Sequence, residues 1–194
     1  ALDKQQNLVV IENKLDDMIS ETNPVRFIDA YVEKLDLYKL GFNNPGTAGG
    51  KGRPPYNPAM MLKIYIYGYL NRIRSSRKLE SECRRNTELI WLTCRLTPDF
   101  KTIADFRKDN RKGIKQIFRE FLKLCSNLDL LSFRCVAVDG TKERARNHLD
   151  NIYRKESIDQ ISARIQERIE KYLEELESND RAEEAEYDFL SKSL

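Results

Sequence analysis

Histidine and tryptophan are almost missing from this sequence, with one of each, His148 and Trp91, among 194 residues. The four cysteines, Cys83, Cys94, Cys125 and Cys135, form no C-x-x-C pair, and His148 is not near them in the chain. Zinc is therefore not expected, because it takes Cys and His ligands at close, regular spacings. The cysteines read instead as reduced, mostly buried thiols of a cytosolic protein. Long apolar runs are also lacking, so the pattern predicts no membrane span, and no secretory leader is visible. Glycine is scarce, and half of the eight fall in 43–55 with three of the six prolines. That stretch reads as a flexible connector. Its Gly50-Lys51 invites comparison with a phosphate loop, but Pro45 stands where the motif needs Gly and Gly52 where it needs Ser or Thr. Nucleotide binding is not expected, although Lys51 and Arg53 remain able to touch a phosphate backbone nonspecifically.

What is abundant is charge, and it is unevenly placed. Residues 1–50 carry 5 basic and 8 acidic side chains, 51–146 carry 22 and 10, and 147–194 carry 7 and 13. The net values are −3, +12 and −6, so the overall +3 conceals a basic centre between acidic flanks. Such a block points to a polyanion partner, most often nucleic acid. The plainer alternative is a basic face that keeps the protein in solution or docks on its own acidic ends.

Helical periodicity dominates the pattern. Residues 7–12 read as a short strand or an extended arm. Asn23-Pro24 and Asn57-Pro58 are cap-then-proline starts. The first opens a helix carrying Val25, Ile28, Val32 and Leu35, closing near Leu40-Gly41 with a left-handed glycine cap. The second opens a helix apolar around most of its circumference, from Met61 to Leu70, which belongs at the centre of a bundle. Its Tyr65, Tyr67 and Tyr69 suit core packing better than base stacking. Ser75 or Ser76 caps a helix reaching about Asn86, and a short segment follows from Thr87 to Leu92. After a turn at Thr97-Pro98-Asp99, Thr102 to Asp105 resembles a capping box. One long stripe then runs from Ile103 through Phe106, Ile114, Phe118 and Phe121 to Cys125, with Gly113 in its middle costing about 1 kcal/mol relative to Ala. Short helices, a proline turn and a helix with a basic first half fit a helix-turn-helix-like DNA reader. A plain bundle with a solvated basic face fits the periodicity too, and the +12 charge favours the reader. From Ser157, Ile158, Ile161, Ile165, Ile169, Tyr172, Leu173 and Leu176 trace an amphipathic helix. Ser178-Asn179-Asp180 reads as a break, after which Ala182, Ala185, Phe189 and Leu190 fold back to complete a helical hairpin.

The one convincing strand pattern is Phe133-Arg-Cys-Val-Ala-Val-Asp-Gly-Thr-Lys142. It delivers Asp139 at its end. Asp-Gly is a common turn opening, but a strand-end carboxylate is also how many α/β sites hold a metal.

Three groups of motifs carry a family resemblance. Arg53-Pro-Pro-Tyr-Asn-Pro-Ala-Met-Met-Leu-Lys-Ile-Tyr-Ile-Tyr-Gly-Tyr69 precedes Ile73-Arg-Ser-Ser-Arg-Lys-Leu-Glu-Ser-Glu-Cys-Arg-Arg-Asn86. Trp91-Leu-Thr93 with Thr102-Ile-Ala-Asp-Phe-Arg107 follows, then Val136-Ala-Val-Asp-Gly-Thr-Lys142. In this order they resemble bacterial insertion-sequence transposases of the IS1182 type, within the broader IS4/IS5-like group. The resemblance runs from about Val25 to Leu176. It implies a mainly α chain: a helical DNA-binding domain, then the first strand of a ribonuclease-H-like domain with an Asp-Asp-Glu triad. The expected division is an arm and helix over 1–50, the DNA-binding domain over 51–130, and the start of a truncated catalytic domain with a helical insertion over 131–194. Asp139 corresponds to the first catalytic, metal-binding carboxylate, and two Mg²⁺ ions would serve the intact enzyme. Candidate DNA contacts are Arg77, Lys78, Arg84, Arg85, Arg107, Lys108, Arg111 and Lys142. The implied partner is double-stranded DNA at element ends, in the bacterial cytoplasm and nucleoid. A truncated form acting as a regulator or oligomerisation partner, including a homo-oligomer through the acidic C-terminal hairpin, is the alternative.

The pattern departs from the family in one respect. Acidic residues after position 150 all fall in helical patterns, so no second or third carboxylate of the triad is legible, and a chain beginning at Ala1 reads as a fragment. One carboxylate does not hold two metals. The purified 194-residue chain is therefore expected not to nick element-end DNA with Mg²⁺, and Mg²⁺-dependent nicking in a supercoiled-plasmid assay would contradict this.

Overall fold

A computed structural model describes residues 15–42, 56–127 and 155–192. The strand or arm expected over 7–12, the connector over 43–55 and the strand bearing Asp139 and Lys142 lie outside them. The described residues form a 3-10 turn, Leu15–Met18, and seven α-helices, with no strand among them. The helices are α1 (Pro24–Glu33), α2 (Pro58–Leu70), α3 (Ser76–Arg85), α4 (Thr87–Leu92), α5 (Phe100–Asp109), α6 (Arg111–Asn127) and α7 (Lys155–Lys192). None is long and apolar enough to cross a membrane.

Helix starts follow local chemistry. Asn23, Asn57, Ser75, Asn86 and Asp99 each accept a hydrogen bond from a first-turn backbone N–H, satisfying a donor the helix itself leaves open. Two ends are less expected. α2 and α4 close without glycine. Ile73 N–H donates to Gly68 O at 2.8 Å and Arg95 N–H to Ile90 O at 2.8 Å, each closing a left-handed cap at Arg72 (φ 57) and Cys94 (φ 50).

α2 is the middle of the bundle. Met60 to Gly68 are all buried, and every neighbouring helix touches this one. Tyr65 Oη donates to Ile103 O of α5 at 2.6 Å, and Tyr67 Oη donates to Glu88 of α4 at 2.7 Å. Tyr69 meets Phe118 of α6 and Tyr172 of α7 edge-on, with ring centroids 5.4 and 5.2 Å apart. The core reading of the three tyrosines is thus what the packing shows. Lys63 is the one charged residue inside α2. Its Nζ is held by Asp29 at 2.7 Å and Glu33 at 2.6 Å, four residues apart on α1. Burial opposes its charge, but those two carboxylates prevail and hold its pKa above the ordinary lysine value.

The single stripe expected from Ile103 to Cys125 is two helices. Asn110 divides them, donating from both its backbone N–H and its side chain to Phe106 O, a local bond that competes with helix continuation. α5 also begins earlier than the capping-box pattern predicts. Asp99 is its cap, accepting from Thr102 N–H at 2.8 Å and Thr102 Oγ1 at 2.9 Å. α1 ends at Glu33, short of Leu40, although Gly41 (φ 84) does close the next turn in the left-handed region. Gly113 is where the ring of Phe42 packs on α6, and a Cβ there would sit 2.7 Å from that ring.

The helical hairpin is corrected. α7 runs unbroken from Lys155 to Lys192, about 57 Å at the α-helical rise, through Ser178-Asn179-Asp180. The side chains expected to break it are occupied elsewhere. Asn179 Nδ2 donates to Arg74 O at 2.6 Å, and Asp180 accepts from Ser76. Polar residues committed to tertiary partners do not compete with their own backbone. Ile165, Ile169, Tyr172, Leu173 and Leu176 enter the core shared with α1 to α6.

Gly68 lies where α2, α3 and α7 approach most closely. A Cβ would stand 2.8 Å from Tyr172 Oη and 2.9 Å from Leu79 Cδ2. Overpacking costs about 1–3 kcal/mol, and the Tyr172 ring is wedged between Tyr69 and Phe118. That outweighs the ~1 kcal/mol Ala gains over Gly in a helix. Gly68→Ala is expected to lower the urea-unfolding free energy by about 1 kcal/mol; an increase would show that α7 is less closely seated.

Candidate nucleic-acid interface

The eight candidate DNA contacts are dispersed by folding. Lys142 lies outside the described residues. On α3, Lys78 is exposed with no ion pair among the described residues, whereas Arg84 pairs with Glu80 and Arg85 with Glu82 on the same helix. Both pairs are solvent-exposed on the arginine side, and such short-range surface pairs contribute about 0–1 kcal/mol, so phosphate competes with them easily. Arg77 lies over the ring of Phe100, 3.8 Å from its centroid, with Glu183 of α7 at 3.7 Å.

Arg107 is turned inward. It is 5% exposed, which removes it from the surface. Its guanidinium reaches Asp180 of α7 at 2.8 Å and Ser76 Oγ at 3.3 Å. Asp180 in turn accepts from Ser76 N–H at 2.7 Å and Ser76 Oγ at 2.6 Å. Helical spacing explains the inversion: Ile103 and Arg107, four apart, share the buried face of α5, and Lys108 faces water without an ion pair. Arg111 bridges Glu170 at 2.9 Å and Glu177 at 3.0 Å, both on α7. Lys115 also pairs with Glu170, and hydrogen bonds from Lys115 and Arg111 hold that carboxyl below its ordinary range.

The alternative raised by the charge pattern, a basic centre docking on an acidic end, is therefore realised along α7. What remains open lies mainly on α6. Lys112, Lys115, Gln116, Arg119, Glu120 and Lys123 line a shallow recess of about 450 Å³. Four cations face one carboxylate there, and Lys112 and Lys123 are exposed, without ion pairs among the described residues. Their steps of three and four residues put them on one face of a helix, a signal present in the sequence but absent from the candidate list. Neither chemistry-bearing cysteine clusters nor metal cages compete with this reading: among the described residues no three His, Cys, Asp or Glu side chains converge as metal ligands. Burial pushes the Cys83 thiol up to about 12, so it stays protonated and unreactive at neutral pH. Asp139, the expected metal ligand, lies outside the described residues.

The structure so far defines a small helical bundle with a basic outer ridge and an acidic helix bound across part of its cationic surface. The chain belongs to the family described as Transposase domain (DUF772), whose model matches residues 13–109, half of the chain. The match spans the 3-10 turn through α5, so Arg77, Lys78, Arg84, Arg85, Arg107 and Lys108 fall inside it and Arg111, α6 and α7 outside. No curated protein and no solved structure matches the chain.

Asp180 leaves Arg107 with a buried, unpaired charge if it is removed. Such a loss costs about 3–5 kcal/mol. Asp180→Ala is expected to destabilise the fold by about 3 kcal/mol in chemical denaturation. A change below about 0.5 kcal/mol would mean that water reaches Arg107 and that α7 is not seated there.

Proposed function

We propose that this chain binds double-stranded DNA as the N-terminal part of a transposase of the Asp-Asp-Glu type, engaging the ends of its element. The observation that carries the reading is the family membership of residues 13–109 combined with a net +12 over 51–146. A basic surface attached to a transposase domain has one obvious polyanion to meet. The exposed cations Lys78, Arg84 and Arg85 on α3, Lys108 on α5, and Lys112 and Lys123 on α6 are assigned phosphate contacts, with Lys142 as a further contact. Such contacts position a protein on the duplex and say nothing of sequence.

A helix-turn-helix reading is supported by the basic α3 and the close packing of α3 on both α4 and α5. It is weakened by the connections, a single residue between α3 and α4 and the stretch 93–99 between α4 and α5, where the motif uses three or four residues. The reader is more simply a helical platform than that motif. In the intact enzyme Asp139 would be a Mg²⁺ ligand; the reading given for these helices depends on binding alone.

Counterion release supplies the test. In a gel-shift titration with duplex DNA, log Kobs is expected to fall linearly with log salt, by about 0.9 per phosphate neutralised. Lys108→Gln/Lys112→Gln/Lys123→Gln should make that slope shallower by about 2–3 while leaving the fold intact. Absence of any binding at about 50 mM salt would overturn the proposal.

A further inference from the structure

Three carboxylates on α7, Glu177, Asp180 and Glu183, stand at steps of three residues along one side of the helix. Each holds one arginine of the basic centre. Glu177 takes Arg111 at 3.0 Å, Asp180 takes Arg107 at 2.8 Å, and Glu183 takes Arg77 at 3.7 Å. Glu183 also accepts from Ser75 Oγ at 2.9 Å. These three arginines come from α3, α5 and α6, so one acidic row spans three basic helices.

The row belongs to a different part of α7 from its apolar seat. Ile165, Ile169, Tyr172, Leu173 and Leu176 are buried, whereas none of residues 177–191 is. The first half of α7 is held by the core, where removal of apolar surface from water is the dominant favourable contribution. The second half is held largely by ion pairs and hydrogen bonds, which solvent and salt weaken. Lifting that polar end would break the Arg107–Asp180 pair but leave the buried apolar seat of α7 in place.

We propose that the polar half of α7 is an autoinhibitory latch, in which Glu177, Asp180 and Glu183 occupy cations that nucleic-acid phosphates would otherwise engage. The inference rests on the DNA-binding reading above and adds its regulation. Carboxylate and phosphate oxygens make the same charge-assisted bonds to a guanidinium, so the two compete directly for Arg77 and Arg111. Arg107, being buried, stays with Asp180 as the latch's innermost point until the segment lifts. DNA binding and latch opening are then linked. Every cation released from α7 adds one phosphate contact.

The test compares two variants of equal net charge in the full 194-residue chain. Glu177→Gln/Glu183→Gln removes the outer two latch contacts and leaves the Arg107–Asp180 pair. Glu174→Gln/Glu184→Gln removes two exposed α7 carboxylates that make no ion pair among the described residues. Thermal melting checks that both fold. Fluorescence anisotropy with a duplex is read as affinity and as salt slope. The latch variant should bind several-fold more tightly than the control, with a slope steeper by about 1, because Arg77 is freed for phosphate while Arg111 keeps Glu170. Hydrogen exchange over 177–191 should quicken when duplex is added to wild type. Equal gains in the two variants, with exchange unchanged by DNA, would overturn the latch and leave DNA binding standing. Failure of wild type and both variants to bind duplex at any salt would overturn both.

Discussion

α2 buries nine consecutive residues, Met60 to Gly68, and a helix with no polar face has to be enclosed on every side. That constraint arranges the rest. α1 supplies Asp29 and Glu33 to the only charge inside the helix, Lys63. α4 offers Glu88, which accepts from Tyr67 and also from Asn23 Nδ2 at 2.8 Å, tying the start of α1 to the start of α4. α5 receives the Tyr65 hydroxyl through a backbone carbonyl, and burial raises that phenol far above its ordinary pKa, so it stays protonated and keeps donating. α6 and α7 close the remaining side through Phe118 and Tyr172, and at Gly68, where a side chain would meet Tyr172 of α7 and Leu79 of α3, only glycine leaves room.

Enclosing an apolar helix with basic helices creates a second difficulty, which α7 relieves. The cations of α3, α5 and α6 that point toward the crevice with α7 repel one another unless carboxylates lie among them. Glu170, Glu177, Asp180 and Glu183 provide these. Removing Asp180 alone strands Arg107, whereas the exposed lysines of α6 have no such obligation. The basic surface therefore divides into a committed portion, which holds the fold, and an available portion around Lys112 and Lys123. For the DNA-binding role proposed, the second kind would serve directly, and the first only once its carboxylate partners are displaced.

Much of this was legible before folding was considered. Asn-Pro starts, the span Thr87–Leu92, the wholly apolar α2 and the core role of its tyrosines were all written in local spacing, because caps and periodicity act within a few residues. The transposase character was legible too, through ordered motifs of which the family match, residues 13–109, covers those from Arg53 to Arg107 and not Val136 to Lys142. Errors fell where polar side chains bonded to groups that periodicity does not register. Asn110 split one helix by bonding back to Phe106 O, and Ser178-Asn179-Asp180 failed to split another because Arg74, Ser76 and Arg107 had taken its polar groups. Among the candidate contacts, Arg107 and Lys108 are neighbours in sequence but not in orientation, since successive helical residues point about 100° apart.

The sequence by itself determined where helices begin, which one lies at the centre, and that a basic block sits between acidic flanks, since each of these depends on composition or on neighbours within two turns. Only the tertiary structure decided which cations are free. Whether an arginine meets water, a buried aspartate or a carboxylate some seventy residues away, as Arg107 meets Asp180, depends on which helix faces are brought together. Charge is a property of the residue, but its availability is a property of the packing.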